Sequence, residues 1–149
     1  MSVSEKYFID EATREAEKSN MNHRHGCVIV KNNKIVSRGH NYYYHHCSFN
    51  GYTHTHSNLK QKYSVHAEED AIKNYCRKFV KTKNASASHR SGLKVYVVRV
   101  QQQVTESGTR NWVYKNSKPC EMCRRFLTFI EPSKVYYTYD ANRAIVEFY

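Results

Sequence analysis

The sequence predicts an α/β domain in which helices pack on a mixed β-sheet. Segments with an apolar face at helical spacing alternate with short apolar segments of strand length. Residues 135–139 and 144–148 both have strand character, and the few residues between them are too short for a crossover helix. These two strands must therefore form an antiparallel hairpin. With 149 residues, the chain is expected to form a single domain, residues 1–149, with a substantial core.

A helix and a hairpin are predicted in the N-terminal part. Residues 4–19 have alanines and a phenylalanine along one side, and Ser2 and Glu5 have the spacing of a capping box. Residues 27–31 and 34–38 are predicted strands. Two asparagines join them, and because asparagine tolerates positive φ, they suit a tight hairpin turn.

A loop, two helices and a central strand are predicted next. Residues 39–62 are irregular and rich in tyrosine and histidine, and loops of this length are usually functional or disordered. Residues 66–80 predict a helix with acidic residues in its first turn, where the helix dipole favours negative charge. The nearly continuous apolar residues of 93–100 predict a central strand. Pro119 is placed in the first turn of a third helix, which Pro132 ends.

The charge distribution favours anionic partners. The chain has 24 Lys and Arg against 13 Asp and Glu, a formal net charge of +11. Residues 21–67 and 71–105 contain no acidic side chain. A field of this kind is typical of proteins that bind nucleotides or nucleic acid, although a soluble basic surface has the same composition.

Several features indicate an intracellular, cytoplasmic protein with no membrane partner. No apolar run approaches the ~20 residues that span a bilayer. The first ten residues carry charges where a signal peptide needs an apolar stretch. The five cysteines are an odd number, which a pure disulfide framework would not use.

The strongest chemical signals lie at the starts of the second and third predicted helices. Cys120 and Cys123, three residues apart on a helix, project from one face and can bind one metal ion. With the imidazole of His66 they would form a three-ligand zinc site, which leaves a position for water and is the catalytic arrangement. Glu68 would then lie beside that water as a proton donor and acceptor. The alternative is a buried histidine with a redox or structural thiol pair.

These motifs resemble a known family. His66-Ala67-Glu68 and Pro119-Cys120-Glu121-Met122-Cys123 are similar to the H-x-E and P-C-x-x-C signature of the zinc-dependent cytidine/deoxycytidylate deaminase superfamily. Gly39-His40-Asn41 resembles the family's G-x-N segment, and the order of elements follows the family fold over nearly the whole chain. The resemblance implies a cytidine deaminase-like, three-layer α/β/α sandwich with a mixed five-stranded sheet and an antiparallel last strand.

The resemblance also implies roles for individual residues. Glu68 would shuttle protons without ligating the metal, Asn41 would hydrogen-bond the sugar or base, and the small Ala67 would allow close approach at the pocket floor. The zinc ligands would be His66, Cys120 and Cys123. The expected activity is conversion of a cytosine nucleoside or nucleotide to its uracil counterpart with release of ammonia, by a protein that assembles into homo-oligomers.

Two other functions remain open at this stage. A deaminase acting on cytosine or adenine in RNA or DNA would explain the positive charge and the tyrosine-rich loop. A non-catalytic zinc module that binds nucleic acid would need a fourth protein ligand. The antiparallel last strand is typical of family members that act on free nucleosides, whereas histidine as the first ligand is commoner in members acting on tRNA, DNA or deoxycytidylate.

A second zinc site is a further hypothesis. The predicted loop before the H-x-E motif is rich in side chains that bind zinc, although their spacing is irregular and such loops are often simply solvated. The candidate ligands are His40, His45, His46, Cys47, His54 and His56.

Overall fold

The structure, a computed structural model, describes residues 2–44, 63–79, 92–140 and 143–148. Within these ranges none of the helices combines the length and the apolar character that crossing a membrane requires. The elements in chain order are α1 (Val3–Ala16), β1 (His23–Lys31), β2 (Lys34–His40), β3 (Tyr42–Tyr44), β4 (Tyr63–Val65), α2 (Ala67–Phe79), β5 (Lys94–Val104), β6 (Arg110–Lys115), α3 (Glu121–Ile130), β7 (Lys134–Asp140) and β8 (Arg143–Phe148).

The main sheet is mixed, as the sequence predicts. Its strand order is β2-β1-β5-β7-β8, in which β5 and β7 are parallel and the other pairs are antiparallel. The last strand is therefore antiparallel to its neighbour, as expected. These five strands correspond to the predicted sheet, but β6 adds a sixth by pairing with the far end of β5. The short strands β3 and β4 form a separate antiparallel pair.

The N-terminal helix and hairpin form as predicted. The Ser2 hydroxyl accepts a hydrogen bond from the Glu5 main-chain N–H at 3.2 Å, and the Ser2 N–H donates to the Glu5 carboxylate at 3.0 Å. Asn32 and Asn33 have φ angles of 51° and 61°. Two successive residues with positive φ are the requirement of a type I′ turn, whose twist matches that of the strands it joins.

Helices cover both faces of the sheet, which confirms the three-layer architecture. Helix α1 packs on one face, in a cluster that includes Phe8, Ala12, Val28, Tyr96 and Tyr136. Helices α2 and α3 pack on the other face, in a cluster that includes Ala71, Ile72, Val95, Val97 and Leu127. The site described below lies on the α2 and α3 side.

Two strand glycines let the helices approach the sheet closely. A Cβ atom on Gly26 would lie 1.9 Å from the Ala12 carbonyl oxygen of α1. A Cβ atom on Gly39 would lie 2.3 Å from the Ala71 nitrogen of α2. Both helices are thus closer to the strands than any side chain at these positions permits.

The boundaries of α3 differ from the prediction. The helix begins at Glu121, and Cys120 is its N-cap with extended backbone angles, so Pro119 lies before the helix and not in its first turn. At the other end Glu131 has a φ of 47°. This left-handed residue ends the helix immediately before Pro132, where α conformation is disfavoured.

Candidate metal centre and active site

The structure brings together the three predicted metal ligands. His66 lies directly before α2, Cys120 caps α3, and Cys123 lies in the first turn of α3. The His66 Nδ1 atom is 3.6 Å from the Cys120 sulfur and 3.3 Å from the Cys123 sulfur. The three ligand atoms all lie within 4.8 Å of one another.

This arrangement fits a tetrahedral zinc ion. Zinc–sulfur bonds of about 2.3 Å and zinc–nitrogen bonds of about 2.0 Å, at a tetrahedral angle, place nitrogen and sulfur about 3.5 Å apart. The observed distances of 3.6 and 3.3 Å agree with that separation. Burial, together with the nearby Glu68 carboxylate, raises the pKa of the Cys123 thiol. A divalent cation reverses this tendency, because it stabilises the thiolate that ligates it.

Glu68 lies in the first turn of α2 and faces the same pocket as His66. Only 5% of the residue is exposed. Burial raises the pKa of its carboxyl group, while its own main-chain N–H, His66 and the Cys123 thiol act in the opposite direction. A carboxyl group with a raised pKa, placed beside a metal site, is suited to accepting and returning a proton.

A pocket of about 230 Å³ connects these groups. Its walls include His23 and His25 at the start of β1, Asn41 after β2, and Ser117 and Lys118 before α3. His66, Glu68 and Cys120 also line it, together with Met21, Ser64 and Val65. A larger cavity of about 870 Å³ lies between α2 and α3, but it is mostly apolar and contains none of these groups. The chemistry therefore points to the smaller pocket.

Asn41 reaches the pocket wall while its amide holds two strands together. Its Oδ1 atom accepts the His25 main-chain N–H at 2.8 Å, and its Nδ2 donates to the His23 carbonyl at 2.7 Å. Nδ2 also lies 3.2 Å from the Met21 sulfur and 3.3 Å from His25 Nδ1, so the second lone pair of Oδ1 is what this side chain can offer a substrate. Ala67 is completely buried between two pocket-lining residues and belongs to the core beneath them.

Sequence reasoning missed His25, which is half-buried in the pocket wall. Burial, aided by the charge of Arg99 and by His66, lowers the pKa of His25 to about 4. Its imidazole is therefore neutral near pH 7. The predicted strand began at Cys27, but extending the same two-residue alternation backwards from Cys27 and Ile29 would have placed His25 on the same face.

A buried serine positions the segment that carries Cys120. The Ser117 hydroxyl donates to the Val97 carbonyl at 2.8 Å and accepts the Thr138 main-chain N–H at 2.8 Å. It lies where the parallel pairing of β5 and β7 ends, after Val97 and Tyr137. The Ser117 hydroxyl thus forms hydrogen bonds with main-chain groups that no longer pair with each other where the two strands diverge. Nothing in the sequence distinguishes this serine from others.

Most of the candidate ligands of a second zinc site are not among the residues that the structure describes. His45, His46, Cys47, His54 and His56 lie outside the described residues. The main chain of His40 donates to the Asp70 carboxylate at 3.1 Å, and its Nδ1 atom is 3.8 Å from the Glu15 carboxylate.

Solved structures share the fold. A deoxycytidylate (dCMP) deaminase from the cyanophage S-TIM5, in its apo form, matches with a TM-score of 0.54 and 20% identity, over 95% of this chain and 88% of that chain. A cytidine deaminase from Burkholderia pseudomallei matches with a TM-score of 0.55 and 16% identity, over 99% of this chain and 93% of that one. The cyanophage enzyme in complex with dCMP and dUMP matches with a TM-score of 0.50 and 16% identity, over 92% and 82% of the two chains.

Sequence comparison gives the family. Among curated proteins, none matches the chain. A family model described as the cytidine and deoxycytidylate deaminase zinc-binding region matches residues 2–139. That range contains the H-x-E and P-C-x-x-C motifs and the three candidate ligands that the fold brings together. The chain therefore belongs to the zinc-binding cytidine and deoxycytidylate deaminase family.

Proposed function

We propose that this protein hydrolytically deaminates a cytosine nucleoside or nucleotide, giving the uracil counterpart and ammonia, and that His66, Cys120 and Cys123 hold its zinc ion. The observation that carries the proposal is a buried carboxyl group, Glu68, in one pocket with a His/Cys/Cys cluster. A purely structural zinc site needs four protein ligands and no adjacent acid. Among the described residues, three such ligands converge, and an acid lies beside them.

Individual residues of the pocket have distinct roles in the proposed reaction. A zinc ion held by three protein ligands supplies Lewis acidity and a water whose pKa falls to about 7. Glu68 takes a proton from the attacking water and delivers it to N3 of the cytosine ring as the C4–O bond forms. It then takes the proton of the new C4 hydroxyl group and delivers it to the amine, and the C4–N bond breaks with release of ammonia as the C4 carbonyl forms. The neutral His25 imidazole and Asn41 Oδ1 orient the substrate from the pocket wall.

The size of the pocket supports a small-molecule substrate. Its volume of about 230 Å³ lies just below the ~300 to 1,000 Å³ typical of small-ligand sites. The antiparallel last strand has the same implication, since it resembles the family branch that acts on free nucleosides. We also propose that the protein acts in the cytoplasm and that it assembles into a homo-oligomer. Sedimentation analysis of the purified zinc-loaded protein would test the assembly.

A deaminase acting on RNA or DNA is the second candidate, and an exposed surface favours it. The Arg24 guanidinium lies 4.6 Å from the ring centroid of Trp112, a side chain that is 46% exposed. Exposed aromatic and cationic groups of this kind stack on bases and attract phosphates. The net charge of +11 also favours binding of a polyanion such as RNA or DNA.

A panel of substrates tests the proposal. Zinc-loaded protein is incubated with cytosine, adenine and guanine compounds from free base to triphosphate, and with short single-stranded RNA and DNA, and deamination is detected by mass spectrometry. We expect conversion of a free cytosine nucleoside or nucleotide. Conversion of oligonucleotides alone would establish the second candidate, and no conversion by zinc-loaded protein would refute both.

Two matched variants isolate the proton carrier. Glu68→Gln removes the acid from the pocket, and we expect it to lower kcat by about 10²- to 10⁴-fold. The control is Glu69→Gln, since Glu69 is also buried in the first turn of α2 but pairs with Lys73 at 2.6 Å. Equal losses in both variants would show that Glu68 acts through stability alone.

A further inference from the structure

Arg99 is a cation beside the pocket, and no carboxylate among the described residues forms an ion pair with it. It lies on β5, directly opposite His25 in the β1–β5 register. Its Nη2 atom donates to His23 Nδ1 at 3.0 Å and to the Gln101 side-chain oxygen at 3.3 Å. Its Nε atom is buried without a hydrogen-bond partner. None of the ion pairs among the described residues includes Arg99.

Such an arrangement is unfavourable unless a ligand completes it. Partly buried charges are ordinarily paired, and a buried donor without an acceptor costs free energy. Neither acceptor of the Arg99 guanidinium is a carboxylate, so no anionic side chain among the described residues compensates its positive charge. A planar guanidinium matches the oxygens of a phosphate group in two-pronged geometry. The missing partner is therefore expected to be an oxyanion.

The groups around Arg99 are also suited to an anion. Because Arg99 donates to His23 Nδ1, a neutral His23 carries its proton on Nε2 and offers a second donor. His23 and Lys118 both line the deaminase pocket. Arg99 also lines a second cavity, of about 560 Å³. The other charged side chains in the lining of that cavity are Lys115 and Asp140. The contact between His23 and Arg99 thus links the pocket to a cavity whose lining includes two cationic side chains and one carboxylate.

We propose that Arg99, together with His23, binds a phosphate group of the substrate, so that the enzyme prefers a cytosine nucleotide over the nucleoside. This inference rests on the proposed function. The phosphate has two possible sources with the same chemistry, the 5′-monophosphate of a free nucleotide and the phosphodiester of a polynucleotide. The phosphate contact acts on binding and leaves the chemistry at the ring unchanged.

Kinetics with matched substrates test this site. Cytidine, cytidine 5′-monophosphate, their deoxy counterparts and a short cytosine-containing oligonucleotide are compared in wild type, Arg99→Gln and Arg99→Lys. The control is Arg110→Gln, which removes an exposed arginine from the neighbouring strand β6. Zinc content and circular dichroism confirm that each variant is folded.

We expect the preference for the phosphorylated substrate to depend on Arg99. In wild type the phosphorylated substrate has a kcat/KM about 10- to 100-fold above that of the nucleoside, in keeping with hydrogen bonds to a charged group. Arg99→Gln abolishes this ratio by raising the KM of the phosphorylated substrate, Arg99→Lys keeps part of the ratio, and Arg110→Gln keeps all of it. An Arg99-dependent advantage seen with the oligonucleotide alone would assign the phosphate to a phosphodiester.

Two results would overturn the inference. One is a wild-type ratio near one for every phosphorylated substrate, and the other is a ratio that Arg99→Gln leaves unchanged. Calorimetry with the product uridine 5′-monophosphate, compared with uridine, separates this failure from failure of the proposed function. If no substrate is deaminated but the monophosphate binds in an Arg99-dependent way, the phosphate site stands and the deaminase proposal fails.

Discussion

Replacing Gly39 with alanine tests how the sheet positions helix α2, which carries Glu68 in its first turn. The new Cβ would lie 2.3 Å from the Ala71 nitrogen and 2.6 Å from the Ala67 carbonyl oxygen, both main-chain atoms of α2. Ordinary van der Waals contact begins at 3.4 Å. Helix α2 must therefore move away from β2 by about 1 Å. Because His66 precedes α2 and Glu68 lies in its first turn, both would move with it.

This displacement determines how much stability and activity Gly39→Ala is expected to lose. Overpacking of a well-packed core costs about 1 to 3 kcal/mol of folding free energy. A misplacement of about 1 Å between catalytic groups costs about 100-fold in rate. We therefore expect Gly39→Ala to fold less stably, to bind zinc more weakly, and to lose about 100-fold in kcat/KM when saturated with zinc.

Gly26→Ala is the matched control. Its Cβ would lie 1.9 Å from the Ala12 carbonyl of α1, which packs on the opposite face of the sheet and carries none of the candidate site residues. Urea unfolding and deamination kinetics of both variants separate the two effects. Both should lose stability, but only Gly39→Ala should lose activity in the folded, zinc-saturated state. Full activity in Gly39→Ala, or an equal loss in both, would refute this account.

Two further predictions concern the pocket wall. His25 faces Arg99, His66 and His23, and its folded-state pKa of about 4 lies below the ordinary value of 6.5, so the folded state binds its proton less readily than the unfolded state does. The contribution of neutral His25 to the free energy of unfolding is complete above pH 6.5 and is lost as the pH falls towards 4, a loss of about 3 kcal/mol. In urea unfolding across this pH range, the free energy of unfolding should therefore fall more steeply for wild type than for His25→Gln. Parallel pH dependences in the two proteins would contradict the lowered pKa of His25. Ser117→Ala should cost about 1 to 3 kcal/mol, because main-chain groups of two strands lose their buried partner, and an unchanged unfolding midpoint would show that the hydroxyl is dispensable.

The metal site is predictable from sequence because its residues come in local motifs. His66 and Glu68 lie two positions apart at a helix start, and Cys120 and Cys123 lie three apart at another. In each pair the first residue directly precedes the helix and the second lies in its first turn, so the fold has only to bring the two helix starts together. The hairpin and the antiparallel last strand were equally predictable, since turn chemistry and a short connection determine them.

The groups that the sequence did not reveal depend on contacts between distant segments. His25 and Arg99 meet only through the register of β1 and β5. Strand β6 escaped prediction because it and the end of β5 are largely exposed, and without a buried face they show no apolar alternation. Ser117 acts only where β5 and β7 diverge, a feature of topology and not of local sequence.

Titration of metal-free protein with zinc tests the central claim most directly. Zinc binding and deamination of the best cytosine substrate from the panel are measured in the same samples. We predict that activity is absent without zinc, rises in proportion to bound zinc, and stops rising at one zinc ion per His66/Cys120/Cys123 site. Activity in the zinc-free protein, or full zinc occupancy with no deamination, would contradict the claim that this pocket is a zinc-dependent deaminase site.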